Sequence, residues 1–260
     1  MIKIIIVCVL GGLGAGLGTG FAGLSAACFI TPMLVAFLDV PTFEAVGIAL
    51  SSDVLASAIS AYTYGKAGNI DIKRGRVLLI SVIVCTILGS GIAYLFSSTE
   101  TGNAALGYVS ILSALFLGIK FIINPRSPNP SANAKNLAGK IGISIAVGCI
   151  IGLICGFQGA GGGMMMLFAL VAVMMFEMKC AVGTSVFIMT FTALIGAITH
   201  FMMFGKPNYI YLILCIVSTF IFARIGAVWA NKLSAKASYR IVGVILAVSG
   251  VAMLISKLFF

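Results

Sequence analysis

A glycine-rich stretch occurs twice in this chain and divides it into two related halves. The first copy runs from Gly12 to Gly23 and the second from Gly148 to Gly163. Positions of the two copies match at a constant offset of 136 residues (12 to 148, 23 to 159): Gly12, Gly16, Leu17, Gly20, Phe21 and Gly23 against Gly148, Gly152, Leu153, Gly156, Phe157 and Gly159. The match continues downstream, with an offset of 137 for the last two pairs: Gly47 against Gly183, Gly68 against Gly205, and Gly89 against Gly226. The sequence therefore predicts two homologous halves that fold as one unit.

The composition is that of a polytopic membrane protein. Hydrophobic residues make up 61% of the chain and charged residues only 8%, against about a quarter charged in soluble domains. The apolar runs are close to the roughly 20 residues that a helix needs to cross a bilayer, which favours an all-α fold over a barrel. Ten such segments are predicted, five in each half: 2–20, 24–38, 43–65, 75–97 and 103–123, then 138–157, 163–176, 180–204, 208–231 and 238–259.

A polar linker separates the halves and the charges suggest their orientation. Residues 124–137 contain three of the six prolines, so we predict a first membrane repeat over 1–123, a cytoplasmic linker over 124–137 and a second repeat over 138–260. Basic residues follow the third and ninth segments and occupy the linker, and such loops usually face the cytoplasm. Equivalent loops then fall on opposite sides, which predicts inverted repeats. The short first pair of segments in each half either spans or re-enters, and both arrangements give an even number of crossings.

Several other classes of protein are disfavoured. The net charge of +10 comes from basic residues in short loops beside apolar spans, where such residues indicate topology and lipid contact rather than a nucleic-acid surface. The cysteines, among them Cys8, Cys28, Cys85, Cys149 and Cys155 inside apolar runs, lack metal-ligand spacing, so we expect no metal site and no cofactor. The N-terminal apolar run is interpreted as a retained helix, because cleavage as a signal peptide would delete the first glycine motif. No catalytic motif is present, and we expect no enzyme activity.

Matched, glycine-interrupted short segments in inverted repeats indicate a midplane site built from broken helices. In the second half the predicted site comprises Gln158, Gly159, Gly161, Gly162 and Gly163, where open backbone N–H groups at the start of a short helix favour an anion. The equivalent positions of the first half offer Gly23 and Ser25. The alternative is that the glycines only permit close helix packing, and we prefer that interpretation for those spaced by four residues: Gly12, Gly16 and Gly20, and Gly148, Gly152 and Gly156.

Hydroxyl groups in the matching third segments form a second candidate set. Ser51 and Ser52 follow Gly47, and Thr184 and Ser185 follow Gly183. These side chains either complete an anion site or bond back to the preceding helical turn, as is common in membrane helices. The sequence does not choose between the two.

Asp53, Arg224 and His200 are ionisable residues that lie inside apolar segments, where charge is costly and usually functional. Asp53, near the middle of its segment, is a candidate for proton coupling and must be neutral or paired for part of a cycle. Arg224 is a candidate for binding substrate charge or for pairing with Asp53. His200 is the only histidine, and its imidazole titrates in the physiological range, which suits proton transfer. The alternatives are a structural ion pair and an interfacial hydrogen bond.

The two G-x3-G-F-x-G runs, each followed by Ala-Val-Gly about 25 residues on, resemble the sulfite exporter TauE/SafE family of membrane permeases. The resemblance covers nearly the whole chain, although Ser25-Ala26-Ala27 replaces the glycine triplet Gly161 to Gly163 in the first half. It implies transport of sulfite, thiosulfate, organosulfonates or related small organic anions, in several members with proton coupling.

Motif and resemblance together predict a multi-pass cell-membrane transporter that works by alternating access between the repeats. Its expected partners are a small anionic substrate, protons as the coupling ion and membrane lipid, and nucleic acid is not expected. An anion channel, or a permease for small organic carboxylates, is the alternative. The direction of transport and the oligomeric state are not encoded in any motif.

Overall fold

The computed structural model describes residues 2–95, 115–116, 119, 122–123, 137–158, 162–205, 207–234, 236–238, 240–245, 247–248 and 251. Within these residues the secondary structure is helical, without a strand. The first half contains α1 (Ile2–Ala22), α2 (Ala27–Leu38), α3 (Thr42–Lys66) and α4 (Ile72–Leu95). The second half contains α5 (Leu137–Gln158), α6 (Gly162–Phe168), a π-helical continuation Ala169–Val173, α7 (Met178–Phe204) and α8 (Tyr209–Lys232).

These helices follow the predicted apolar segments to within three residues at each end. The segment predicted over 103–123 and the linker lie almost wholly outside the described residues, and 238–259 is described only in part. Four of the described helices are long and apolar enough to cross a membrane: Ile2–Ala22, Glu44–Lys66, Met178–Met202 and Tyr209–Lys232. The predicted all-α membrane fold is therefore confirmed, whereas the domain boundaries stay a prediction.

The second element of each half is short. Helix α2 has 12 residues, or about 18 Å at roughly 1.5 Å per residue, well below the ~30 Å of a bilayer core. It ends at Asp39, whose φ of 52° is left-handed, and the equivalent Met175 has a φ of 55°. Residues other than glycine rarely take this conformation, so its recurrence at an offset of 136 marks the same turn in both halves. Gly68 and Gly205, which match at an offset of 137, also have positive φ values, of 72° and 90°.

Glycines spaced by four residues lie where α1 packs along α8 and where α5 packs along α4. A Cβ atom added to Gly16 would lie 2.6 Å from the carbonyl oxygen of Thr219, and one added to Gly152 would lie 2.5 Å from that of Val82. Thr219 and Val82 are themselves 137 residues apart. The packing interpretation of these glycines is the one that the contacts support, because only a glycine lets the two backbones approach so closely.

Helices α3 and α7 cross at the centre and run antiparallel. Gly47, early in α3, lies beside His200, late in α7, where an added Cβ would be 3.1 Å from the imidazole Cδ2. Gly183, early in α7, lies beside Tyr64, late in α3, where an added Cβ would be 2.9 Å from the tyrosine Cβ. Helices α3 and α7, which are equivalent by sequence, thus point in opposite directions.

Polar contacts link the helix ends on either side. Asn69, after α3, donates from its amide to the amide oxygen of Asn231 at 2.6 Å, and the Lys179 ammonium donates to the Asn231 carbonyl oxygen at 2.9 Å. On the other side the backbone N–H of Asn208 donates to the Glu44 carboxylate at 2.7 Å. The loop at Asn69 and the loop at Asn208 therefore lie at opposite ends of the bundle.

Candidate functional site

The first half breaks its helix directly after α1. Gly23 adopts a left-handed φ of 63°, which a residue with a side chain rarely takes. The hydroxyl of Thr19 donates to the carbonyl oxygen of Leu24 at 2.7 Å, so a carbonyl that leaves the helical ladder keeps a partner inside the protein. The break from Gly23 to Ala26 is referred to below as the first break.

Asp53 on α3 lies against the first break. Its carboxylate accepts one hydrogen bond from the Ser25 hydroxyl and another from the backbone N–H of Ala26, at 2.5 Å in the latter case. The Asp53 side chain is 1% exposed. A buried carboxylate is thus held by two donors from the residues that precede α2, which is the arrangement expected at a positive helix start.

The start of α6 meets the first break from the other half. A Cβ atom added to Gly163 would overlap the carbonyl oxygen of Gly23 and would lie 3.1 Å from the backbone nitrogen of Ser25. A Cβ added to Gly23 would lie 2.5 Å from the Ser185 hydroxyl oxygen on α7. Four of the residues predicted for the site, two from each half, therefore meet at the first break, where Ser25 contacts Asp53.

Two further hydroxyl groups connect α3 to α7 beside this cluster. Thr190 donates to the Ser57 hydroxyl oxygen at 3.1 Å, and Ser57 donates to the Asp53 carbonyl oxygen at 2.5 Å. Neither residue was predicted from the sequence. The available signal was the spacing of four between Asp53 and Ser57, which places the two side chains on one face of α3.

Apart from Ser25, the predicted serines, including Ser185 at the first break, bond to their own helices. Ser51, Ser52 and Ser185 each donate to a carbonyl oxygen of the preceding turn, at 2.8 to 2.9 Å. Thr184 accepts from the backbone N–H of Asp71 at 3.1 Å, which places it at the loop between α3 and α4 rather than at the central cluster. Back-bonding, the alternative left open by the sequence, is therefore what these three serines do.

The predicted charged partners lie elsewhere. Arg224 is on the exposed face of α8. Within the described residues the ion pair that forms is Arg74–Asp71, so Arg224 is not paired with Asp53 there. His200 is partly buried beside Gly47.

The remaining predicted residues belong to the second-half loop. Gln158 is the last residue of α5, and Gly162 is the first of α6, where an added Cβ would overlap the Cys155 sulfur. Gly159 and Gly161 lie outside the described residues. Among described residues no group of three histidine, cysteine or acidic side chains is arranged to hold a metal.

Comparison with known proteins identifies the family. The model of the "Sulfite exporter TauE/SafE" family matches residues 8–253. Three relatives from Bacillus subtilis (strain 168) are named as probable membrane transporter proteins. YunE is 24% identical, with 94% of this chain and 92% of YunE aligned. YjnA is 28% identical, with 68% of this chain and 72% of YjnA aligned. YdhB is 22% identical, with 83% of this chain and 86% of YdhB aligned. No solved structure is significantly similar to this chain.

Proposed function

Because the chain belongs to the TauE/SafE family of sulfite exporters, we propose that it is a secondary transporter of small sulfur-containing anions, such as sulfite, thiosulfate or organosulfonates. The family match over residues 8–253 is the observation that carries this proposal. It makes the chain a multi-pass cell-membrane transporter and not an enzyme, in agreement with the sequence analysis. The choice of anion, the coupling and the mechanism are the proposed part.

The proposed architecture is a pair of inverted repeats. The antiparallel crossing of α3 and α7 supports it, since these helices are equivalent by sequence and run in opposite directions. The parallel pairing of α1 with α8 and of α4 with α5 recurs at the repeat offset and supports it independently. Such repeats transport by rocking around a fixed site near the midplane.

The proposed substrate site lies where the first break meets the start of α6. Gly23 and Gly163 bring the backbones of the two halves into close contact there, and the Ser25 and Ser185 hydroxyl groups lie at this contact. The second-half loop residues Gln158, Gly159, Gly161 and Gly162 extend this site in the proposal. Ser51, Ser52, Thr184 and Arg224 stay predictions from the sequence, and their positions do not add support.

We assign proton coupling to Asp53. A lone ionised carboxylate in mid-membrane costs about 2.5–3.5 kcal/mol even on the mildest scale. An anion that enters beside Asp53 adds like-charge repulsion, so its binding favours uptake of a proton by the carboxylate. Anion and proton would then move in the same direction. His200 is a second candidate for proton transfer, at the crossing of α3 and α7.

The proposal is tested by a thermal-shift screen of the purified protein against sulfite, thiosulfate, methanesulfonate and acetate. We expect the sulfur anions to raise the melting temperature more than acetate at equal concentration. A shift with acetate alone would favour the carboxylate permease, and no shift with any of the four would contradict the proposed substrate class. A voltage-driven current far above carrier turnover would instead indicate a channel.

A further inference from the structure

Both oxygen atoms of the Asp53 carboxylate are engaged by the first break. One accepts from the Ser25 hydroxyl and the other from the Ala26 backbone N–H. Ala26 directly precedes α2, and its own side chain forms no cap. The free N–H groups at a helix start need an acceptor, and the positive end of the helix dipole favours a negative one. Asp53 supplies that acceptor from 27 residues away.

The second half has no such carboxylate at the equivalent place. The offset of 136 sets Met189 against Asp53, and Gly161 and Gly162 against Ser25 and Ala26. Met189 is 3% exposed, and its sulfur would lie 3.0 Å from a Cβ added to Gly163. A thioether fills the corresponding space without charge and is only a weak acceptor. The two halves therefore repeat each other in backbone but differ in charge at this point.

We infer that Asp53 is a resident anion: its carboxylate occupies the donors of the first break in the way that a bound small anion would. As a positioning residue it acts through Ser25 and Ala26, fixing the break against α3. A transported anion does not use these donors while the carboxylate holds them. The halves are then not interchangeable in substrate binding, a consequence that rests on the proposed transport function.

The test is chemical rescue of an Asp53→Ala variant by formate. Alanine keeps the Cβ and the helix propensity and removes the carboxylate, whose shape and charge formate restores. We expect the variant to melt several degrees below the wild type in chloride, and formate to recover much of that loss. The wild type should respond little to formate. The Asp53→Asn variant should not be rescued, because its amide fills the vacated space.

Met189→Ala is the matched control at the equivalent position of the second half. It leaves a cavity but frees no anion donor, so formate should shift its melting temperature no more than that of the wild type. Rescue of Met189→Ala equal to that of Asp53→Ala, or no formate effect on Asp53→Ala, would overturn the inference. If Asp53→Ala cannot be purified in chloride, the yield of monodisperse protein in formate against chloride gives the same decision. No sulfur anion is added, so the outcome is separate from that of the proposed function.

Discussion

Gly16 and Gly152 are the central members of the two series of glycines spaced by four residues. Alanine at either position is expected to destabilise the protein by steric overlap between helices. In Gly16→Ala the new Cβ would lie 2.6 Å from the Thr219 carbonyl oxygen, where ordinary contact begins at 3.4 Å. Helix α8 must therefore move by about 0.8 Å, because a backbone carbonyl cannot rotate away. In Gly152→Ala the corresponding distance to the Val82 carbonyl oxygen is 2.5 Å, so a displacement of about 0.9 Å is needed between α4 and α5.

Two opposing terms set the size of this effect. Overpacking of a filled interface costs about 1–3 kcal/mol. Replacing a mid-helix glycine by alanine returns roughly 0.5–1 kcal/mol through backbone entropy. Because the obstacle is a backbone atom, the overpacking cost falls in the upper part of its range. We therefore expect the free energy of unfolding to fall by about 1–2 kcal/mol. For a chain of this size that corresponds to a fall of roughly 2–8 °C in melting temperature.

Gly142→Ala is the internal control for this prediction. It lies on α5, and an added Cβ would meet no atom within 4 Å. Only the entropic gain operates there, so Gly142→Ala should melt at or slightly above the wild-type temperature. The measurement is thermal unfolding of the purified variants in one detergent. If Gly16→Ala and Gly152→Ala melt as high as Gly142→Ala, close helix packing is not what these glycines provide.

Three further predictions address topology, coupling and the contact between α3 and α7. Cysteines placed at Gly68 and Gly205 in a cysteine-free background should react with a membrane-impermeant reagent from opposite sides of the membrane, and labelling from one side would refute the inverted repeat. Asp53→Asn should retain anion exchange but lose uphill transport driven by a pH gradient, and full gradient-driven transport by this variant would rule out the coupling role. Ser57→Ala and Thr190→Val should each cost about 0.5–1.5 kcal/mol, and unfolding of the double variant should show that the losses are not additive, whereas additive losses would argue against the hydrogen bond between them.

Much of this fold follows from the repeat in the sequence. The offset that aligns Gly16 with Gly152 also aligns the backbone atoms that they contact, because homologous interfaces require glycine at the same places. The break at Gly23 and the central position of Asp53 were also predictable, the first from glycine and the second from its place in an apolar segment. These features leave a signal because they depend on residue type.

The partners of Asp53 left no such signal. One donor is the backbone N–H of Ala26, a group that every residue except proline possesses, so no sequence pattern marks it. Arg224 was the charged partner that sequence could offer, and it faces outward. The preceding residue, Ala223, is fully buried, and a step of one residue rotates a side chain by about 100° around the helix. The stripe of small residues on α8 was therefore the clue that Arg224 points away from the core.

The proposed site is tested most directly by counterflow of radiolabelled sulfite into proteoliposomes that contain the wild type, Gly163→Ala or Gly142→Ala. We expect rapid counterflow by the wild type and by Gly142→Ala, since position 142 has open space around it. We expect loss of counterflow in Gly163→Ala, because the new Cβ would overlap the Gly23 carbonyl oxygen where the two halves meet. Wild-type counterflow by folded Gly163→Ala would contradict a site at this contact, and no counterflow by the wild type would contradict sulfite transport itself.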